Sequence, residues 1–247
     1  MNRQIRILGV TLARGGSKSV PMKNILPIMG IPLIAYTIAE ALRSQFITRY
    51  VVSTDDEKIR EVALAYGAEA PFLRPAELST DSASSSSALL HALNWVEEEE
   101  GQPYDYIIEL MCTNPLKNVE DIDATLTKLM DTEADTVIAV HRLHDHHPIR
   151  IKKIMDDRIV DFCLPEIPET RRQDLKPYAY IRSGSIYSMR RDYLITEKQR
   201  YGSENSRPYI LPSDRAVNVD TEIDFLVAEK ILEKAPRTYI KSINELL

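Results

Sequence analysis

Residues 12–24 run Leu12-Ala-Arg-Gly-Gly-Ser-Lys-Ser-Val-Pro-Met-Lys-Asn24 and carry Arg14, Lys18 and Lys23 with no acid among them. Arginine offers a fork of N–H donors and lysine a mobile point charge, and both suit phosphate oxygens. Gly15 and Gly16 allow a backbone to approach an anion closely, with their N–H groups turned toward it. The plainer reading is a basic surface turn. The glycines, the charges and the position between an apolar strand and a helix agree better on an anion site. It is not the phosphate loop of NTPases, because G-x-x-x-x-G-K-[ST] is absent.

Other reactive residue types say less by themselves. His141, His144, His146 and His147 crowd one stretch, as transition-metal ligands can, but their spacing matches no helix or finger signature. Cys112 falls near the expected site with no neighbouring base to activate it, so a covalent role is not expected. Glu97–Glu100 reads as a solvated helix end, and Asp55 or Asp56 as a helix cap.

These residues need elements to hold them. Ile5–Leu12 is a short apolar run that ends in a glycine loop, hence a buried strand. Pro32 opens a helix with Ile34, Ile38, Ala41 and Leu42 on one face. Strands follow at Tyr50–Ser53, Ala70–Leu73, Tyr106–Met111 and Thr136–Val140. Helices fall between them, after Asp55 or Asp56, over Ser84–Glu99 and over Val119–Met130. Such alternation predicts a Rossmann-like α/β fold, a mainly parallel sheet with helices on both faces. Ligands of such sheets lie beyond the carboxyl ends of the strands, so loops 13–24, 53–56, 74–85 and 111–118 should face the site. After Val140 the rhythm breaks. A hairpin is expected over Ile149–Phe162, a return strand over Gly184–Met189 and a final helix over Thr221–Leu232. The irregular middle, about 141–200, reads as an extension inserted within a single domain, 1–247.

Composition narrows the class. The chain has 247 residues, 44% hydrophobic and 28% charged, enough for one sizeable domain and too apolar for disorder. A net charge of −6 argues against a general nucleic-acid binder. Two cysteines cannot build a disulfide framework, and no apolar run approaches the ~20 residues that span a bilayer. The expectation is a soluble, cytoplasmic protein that acts without nucleic acid or membrane.

The loop Ala13-Arg-Gly-Gly-Ser-Lys with Lys23-Asn24 resembles the signature of cytidylyltransferases that activate acidic sugars, above all the acylneuraminate cytidylyltransferases, or CMP-sialic acid synthetases. Val52-Ser-Thr-Asp-Asp56, Phe72-Leu-Arg-Pro-Ala-Glu-Leu78 with Asp81-Ser-Ala-Ser-Ser85, Thr113-Asn-Pro-Leu116, Gly184-Ser-Ile-Tyr187 and Val219-Asp-Thr-Glu-Ile-Asp224 match in the same order. The resemblance covers nearly the whole chain and implies the nucleotide-diphospho-sugar transferase type of fold. It implies that CTP lies against Leu12, Ala13, Arg14, Ser17, Lys23, Asn24, Arg74, Ala83 and Ser85. A solvated arginine and a helix cap are the plainer readings of Arg74 and Ser84–Ser87. It implies an acidic sugar near Met111, Arg150, Arg172 and Tyr187, the arginines pairing with the sugar carboxylate. Arg171 and Arg172 equally suit a subunit interface or solvent. The extension about 141–200 becomes a dimerisation and sugar-binding element of a homodimer.

A metal site is implied at Asn218-Val-Asp220, whose first and third side chains share one side of extended backbone. Mg²⁺, or Mn²⁺, takes carboxylate, phosphate and water oxygens. Relatives usually carry two aspartates here. With Asn218 in the first place, Asp220 is the expected main ligand, and Asn218 can add its carbonyl or a water. The competing reading makes Asp220 the cap of the last helix.

The implied reaction is attack by a sugar hydroxyl on the α-phosphate of CTP, with Arg14, Lys23 and Asp220 as the catalytic set. Two departures touch the sugar. Met111-Cys-Thr-Asn-Pro115 stands where sialic-acid-activating relatives usually have Gln-Pro-Thr-Ser-Pro, and Arg182-Ser-Gly184 where they have Arg-x-Asn-Gly. Lost amides change polar recognition, so a related nonulosonate, such as a legionaminic, pseudaminic or deaminated sugar, is a further candidate. The alternatives are a nucleotidyltransferase for another acidic sugar, such as an octulosonic acid, or a non-catalytic nucleotide-binding protein of the same fold.

Overall fold

The computed structural model describes residues 4–16 and 20–246. The chain opens with β1 (Ile7–Leu12), then a small antiparallel ladder of β2 (Pro27–Ile28) and β3 (Ile31–Pro32) leading into α1 (Leu33–Ala41). β4 (Arg49–Ser53), α2 (Glu57–Ala65), α3 (Ser85–Glu100), β5 (Tyr106–Leu110), α4 (Val119–Asp131) and β6 (Thr136–Arg142) continue the alternation. Then come the hairpin β7 (Lys152–Met155) and β8 (Arg158–Asp161), the long β9 (Tyr180–Arg190), α5 (Arg191–Glu197), β10 (Ser206–Ile210) and α6 (Glu222–Lys234).

Six strands form one sheet in the order β10-β6-β9-β5-β1-β4. β1 runs parallel to β4 and β5, and β10 parallel to β6; β9 alone runs against both of its neighbours. Period-2 alternation divides the core between the two faces. Ile7, Tyr50, Val52, Ile108 and Leu110 pack with Ile34 and Ile38 of α1, Ile59 of α2 and Ile122 of α4. Leu8, Val10, Val51, Ile107 and Met189 pack with Leu89, Leu93 and Val96 of α3 and Leu194 of α5. The expected mainly parallel sheet with helices on both faces is therefore present.

Capping chemistry sets the helix starts near the site. Asp56, not Asp55, caps α2 by accepting from the N–H groups of Lys58 and Ile59. Ser84 caps α3 by accepting from Ser87 N–H. Asn118 with Asp121, and Thr221 with Asp224, form reciprocal capping boxes on α4 and α6.

Three expectations need correction. Residues 70–73 form no strand; only isolated bridges join Val51 to Glu69 and Thr54 to Leu73. The return strand is longer than Gly184–Met189, and α5 and β10 were not foreseen. Within the expected extension, β9 and α5 belong to the main sheet and its helical layer, so residues 143–179 are what leaves the sheet.

Candidate active site

A cavity of about 320 Å³ opens beyond the ends of β1 and β5, on the side of the sheet covered by α3. Its walls come from the loop after β1, from residues 74–88 and from β5 with the residues that follow. Of the residues expected at the site, Leu12, Arg14, Lys23, Asn24, Arg74, Ala83, Ser85 and Met111 line this one space. Ser17, with Lys18, lies outside the described residues.

The loop after β1 is anchored from below. Ala13 N–H donates to Ser53 O at 3.0 Å, and Gly15 N–H donates to Asp55 Oδ1 at 3.1 Å. A Cβ on Gly15 would come within 2.8–2.9 Å of Asp56, so this approach requires glycine. Asn24 ties loop to strand: its Nδ2 donates to Arg14 O at 2.9 Å, and its Oδ1 accepts from Cys112 Sγ at 3.1 Å. Burial pushes the Cys112 thiol up to about 11, so it stays protonated as the donor of that bond and is no nucleophile. Arg74 is buried, bonded to Ser79 Oγ at 3.0 Å, with Asp55 at 3.6 Å. Burial lowers its pKa, and Asp55 opposes that shift. Loop 53–56 thus supports the cavity without lining it.

Arg14 and Lys23 are held by carboxylates. Arg14 pairs with Asp81 at 2.9 Å, and Lys23 Nζ with Asp220 Oδ1 at 2.8 Å. The second contact joins residues 197 apart in sequence and brings the C-terminal segment to the cavity. Val219 N–H donates to Thr113 O at 2.7 Å and fixes that approach. Beneath it, Lys117 Nζ donates to Met111 O, Asn114 O and Thr37 Oγ1, each at 2.7 Å, and clamps the turn after β5. Burial pushes the Lys117 pKa down to about 7.

Asp220 does not cap α6; Thr221 does. The Asp220 side chain is largely exposed, with Oδ2 accepting from Asn218 Nδ2 at 2.5 Å. Asn218 Oδ1 is buried and has no partner among the described residues. A carboxylate beside an unsatisfied amide oxygen fits a hard divalent cation whose other ligands are phosphate and water. No group of three or more His, Cys, Asp or Glu able to hold a metal occurs among the described residues. His147 instead caps a short turn by accepting from Ile149 N–H, its Nε2 2.8 Å from Pro177 O.

Four expected site residues stand apart. Ala13 is wholly buried in the core. Tyr187 does not line the cavity; the β9 register turns its ring into the apolar layer with Leu89 and Leu93, and Arg200 covers it at 4.6 Å. Arg150 and Arg172 sit in the segment that leaves the sheet, and neither lines the main cavity. Arg150 donates to Thr170 O and faces Glu166, whereas Arg172 pairs with Asp145 at 2.7 Å. Arg172 lines a separate cavity of about 270 Å³ with Arg142, His144, His147 and Tyr178.

Two residues escaped sequence reasoning. Glu109 lines the main cavity although wholly buried, and Arg200 Nη1 donates to its Oε2 at 2.6 Å. The available signal was a lone acid inside the apolar run Tyr106–Leu110.

A cationic cavity at the strand ends of such a sheet has the make-up of a nucleotide-binding transferase site. The sequence model of the family described as Cytidylyltransferase matches residues 8–204, and the chain belongs to that family, a family of nucleotidyltransferases. It is 35% identical to a pseudaminic acid cytidylyltransferase of Campylobacter jejuni, over 90% of this chain and 94% of the relative. It is 33% identical to a CMP-N,N'-diacetyllegionaminic acid synthase of Legionella pneumophila, over 93% and 97%. A solved CMP:2-keto-3-deoxy-manno-octonic acid synthetase complexed with CTP superposes with a TM-score of 0.68 at 22% identity, covering 93% of this chain and 99% of that one, a likeness of fold.

Proposed function

We propose that this cytidylyltransferase joins CTP to an acidic nine-carbon sugar, a nonulosonate of the pseudaminic, legionaminic or sialic type, and releases pyrophosphate. The observation that carries the reading is the meeting of Arg14, Lys23 and Arg74 in one cavity beyond β1 and β5. The sugar class rests on the pseudaminic and legionaminic names of relatives aligned over nine-tenths of both chains.

In the reaction a sugar hydroxyl oxygen forms a bond to the α-phosphorus of CTP. The bond from that phosphorus to the bridging oxygen breaks, pyrophosphate leaves with its electrons, and the hydroxyl proton is released to solvent. The protein aligns the two reactants and neutralises charge spread over the phosphate oxygens. Arg14 and Lys23 turn from Asp81 and Asp220 to the phosphates. Arg74, Ala83 and Ser85 hold the nucleoside, and Asn24 keeps the loop in place. Asp220, with Asn218, would hold Mg²⁺ or Mn²⁺. Such an ion supplies positive charge to the phosphates.

The working unit we propose is a cytoplasmic homodimer joined through residues 143–179, with Arg150 and Arg172 serving a sugar site shared between subunits. Ile154, Ile159 and Ile167 in that segment are 78, 76 and 77% exposed, and such apolar surface favours a partner. The CMP-sugar would serve as donor for cell-surface glycans.

Pyrophosphate release with CTP, ATP and GTP, each against several nonulosonates and an octulosonic acid, tests this. CTP with a nonulosonate should give the highest kcat/KM. Preference for ATP removes the nucleotide assignment, preference for the octulosonic acid removes the sugar class, and binding without turnover removes the enzyme.

A further inference from the structure

Glu109 sits on β5 between Ile108 and Leu110, where every other side chain of the run is apolar. It lines the main cavity yet is wholly shielded from solvent. Its two oxygens differ. Oε2 accepts from Arg200 Nη1 at 2.6 Å, whereas Oε1 is buried and has no hydrogen-bond partner among the described residues. Leaving a buried acceptor unpaired is costly, so such an atom in a cavity wall is a place where a donor from a ligand is favourably received.

Arg200, 2.6 Å away, fixes the carboxylate and favours its charged form. Burial raises the Glu109 pKa overall, and the Arg200 guanidinium offsets that rise only in part. Burial also works against charge on Arg200, and Glu109, with Tyr187 and Tyr201, more than offsets it. Arg200 lies over the Tyr187 ring at 4.6 Å and within 5.9 Å of Tyr201, with Arg182 on Tyr201 at 4.3 Å. An ionised carboxylate only accepts hydrogen bonds, so Oε1 selects an N–H or O–H donor.

Which reactant brings that donor follows from position. The residues assigned to the nucleotide come from the loop after β1 and from 74–85. Glu109 is on β5, two residues before Met111 and so on the same face, and directly opposite Tyr187 of β9. Met111, which the resemblance puts near the sugar, lines the same cavity.

We propose that Glu109 is a specificity-determining residue whose Oε1 accepts a hydrogen bond from an N–H or O–H of the sugar, and that Arg200 is a positioning residue that holds the other oxygen. This rests on the proposed nonulosonate activity.

The test uses the full-length enzyme. Glu109→Leu alone would strand a buried guanidinium, so the main variant is Glu109→Leu with Arg200→Leu, an apolar exchange of a buried ion pair that generally preserves folding. Steady-state kinetics with CTP and the best nonulosonate should show the sugar KM raised about 10- to 100-fold and the CTP KM within about twofold. Glu109→Gln, which keeps an acceptor oxygen, should show a smaller rise. Against sugars each lacking one donor, wild-type enzyme should lose at least about tenfold in kcat/KM at one position, a loss the double variant does not repeat. A sugar KM within about twofold of wild type in the folded double variant overturns the inference and leaves the activity standing. So does a rise confined to the CTP KM. Absence of wild-type turnover with every nonulosonate overturns the proposed function, and the inference with it. Failure to fold of the double variant, with a normal sugar KM for Glu109→Gln and no donor-dependent loss in wild type, shows a structural pair and overturns it too.

Discussion

The cavity beyond β1 and β5 and the segment 143–179 are built on opposite plans. Around the cavity, polar and charged residues are buried: Lys23, Asn24, Arg74 and Glu109 are each under one-tenth exposed and each is tied to a named partner. In the segment most of the large apolar residues face outward, Leu175 excepted, and the charges pair at the surface, as Arg172 does with Asp145 and Lys152 with Asp161 and Glu166. Buried polar groups cost stability and are kept where chemistry or recognition needs them fixed. Exposed apolar groups cost solubility and are kept where another surface covers them. The difference separates a region of buried, fixed charge from one that presents apolar surface, as the proposed dimer requires.

The largest expected effect follows from removing a cation from the first region. Lys23→Ala should lower kcat/KM about 10²- to 10³-fold, about 3–4 kcal/mol of transition-state stabilisation, with the fold intact by circular dichroism. Its ion pair is not a reason to expect unfolding, because the Asp220 side chain is mostly solvated. Near-normal turnover would show that the buried cations only support the loop. Asp220→Asn should lower turnover about 10- to 100-fold and raise the Mg²⁺ concentration needed for half-maximal rate. Its melting temperature should hold, because Thr221 and Asp224 cap α6 without it. Asn218→Asp should be tolerated and lower the Mg²⁺ requirement. Full activity of Asp220→Asn in chelator would place no cation there.

How far this contrast could be read from sequence depends on what signals each part emits. β1, β4, β5 and β6 are apolar runs between polar loops, and Ser84 carries cap chemistry, so these elements were legible; the caps Asn118 and Thr221 were not, Asp220 being the residue expected at the second. The loop after β1 was legible because glycines and cations without acids are a compositional signal. β10 was not. Ser206-Arg-Pro-Tyr-Ile210 is mostly exposed and contains Pro208, as an edge strand can, and it lies at the sheet's end. α5 has seven residues, too few to display a helical period. The burial of Tyr187 depends on cross-strand register, including the irregularity between Ile138 and Val140, which no local residue pattern announces. Glu109 was passed over because an apolar strand reads as core, although the acid within it was the clue.

The second region can be broken by charge. Ile154→Glu with Ile159→Glu places two carboxylates on the exposed hairpin face. The hairpin should survive, since both residues already lie in solvent within one subunit. Sedimentation should then report monomer where wild type reports dimer. If the sugar site is shared between subunits, kcat/KM for the sugar should fall about tenfold while CTP affinity by calorimetry changes little. Arg172→Ala should raise the sugar KM about three- to tenfold and leave the dimer intact. A fully active monomer would confine the segment to packing and leave the sugar to the main cavity alone.

The smallest effect concerns two adjacent serines where structure and recognition meet. Ser84 caps α3, accepting from Ser87 N–H at 3.1 Å, while Ser85 lies one residue inside the helix and lines the cavity. An N-cap serine contributes about 1 kcal/mol, so Ser84→Ala should lower the melting temperature by about 2–4 °C in a chain of this size. Its CTP KM should move by no more than about twofold. Ser85→Ala removes no cap and should leave melting unchanged, while raising the CTP KM about two- to fivefold through a lost polar contact. Thermal melts and nucleotide kinetics on the two variants should therefore cross. If Ser85→Ala lowers melting and spares CTP, both serines serve the helix, and recognition of the nucleoside falls to Arg74 and the backbone near Ala83.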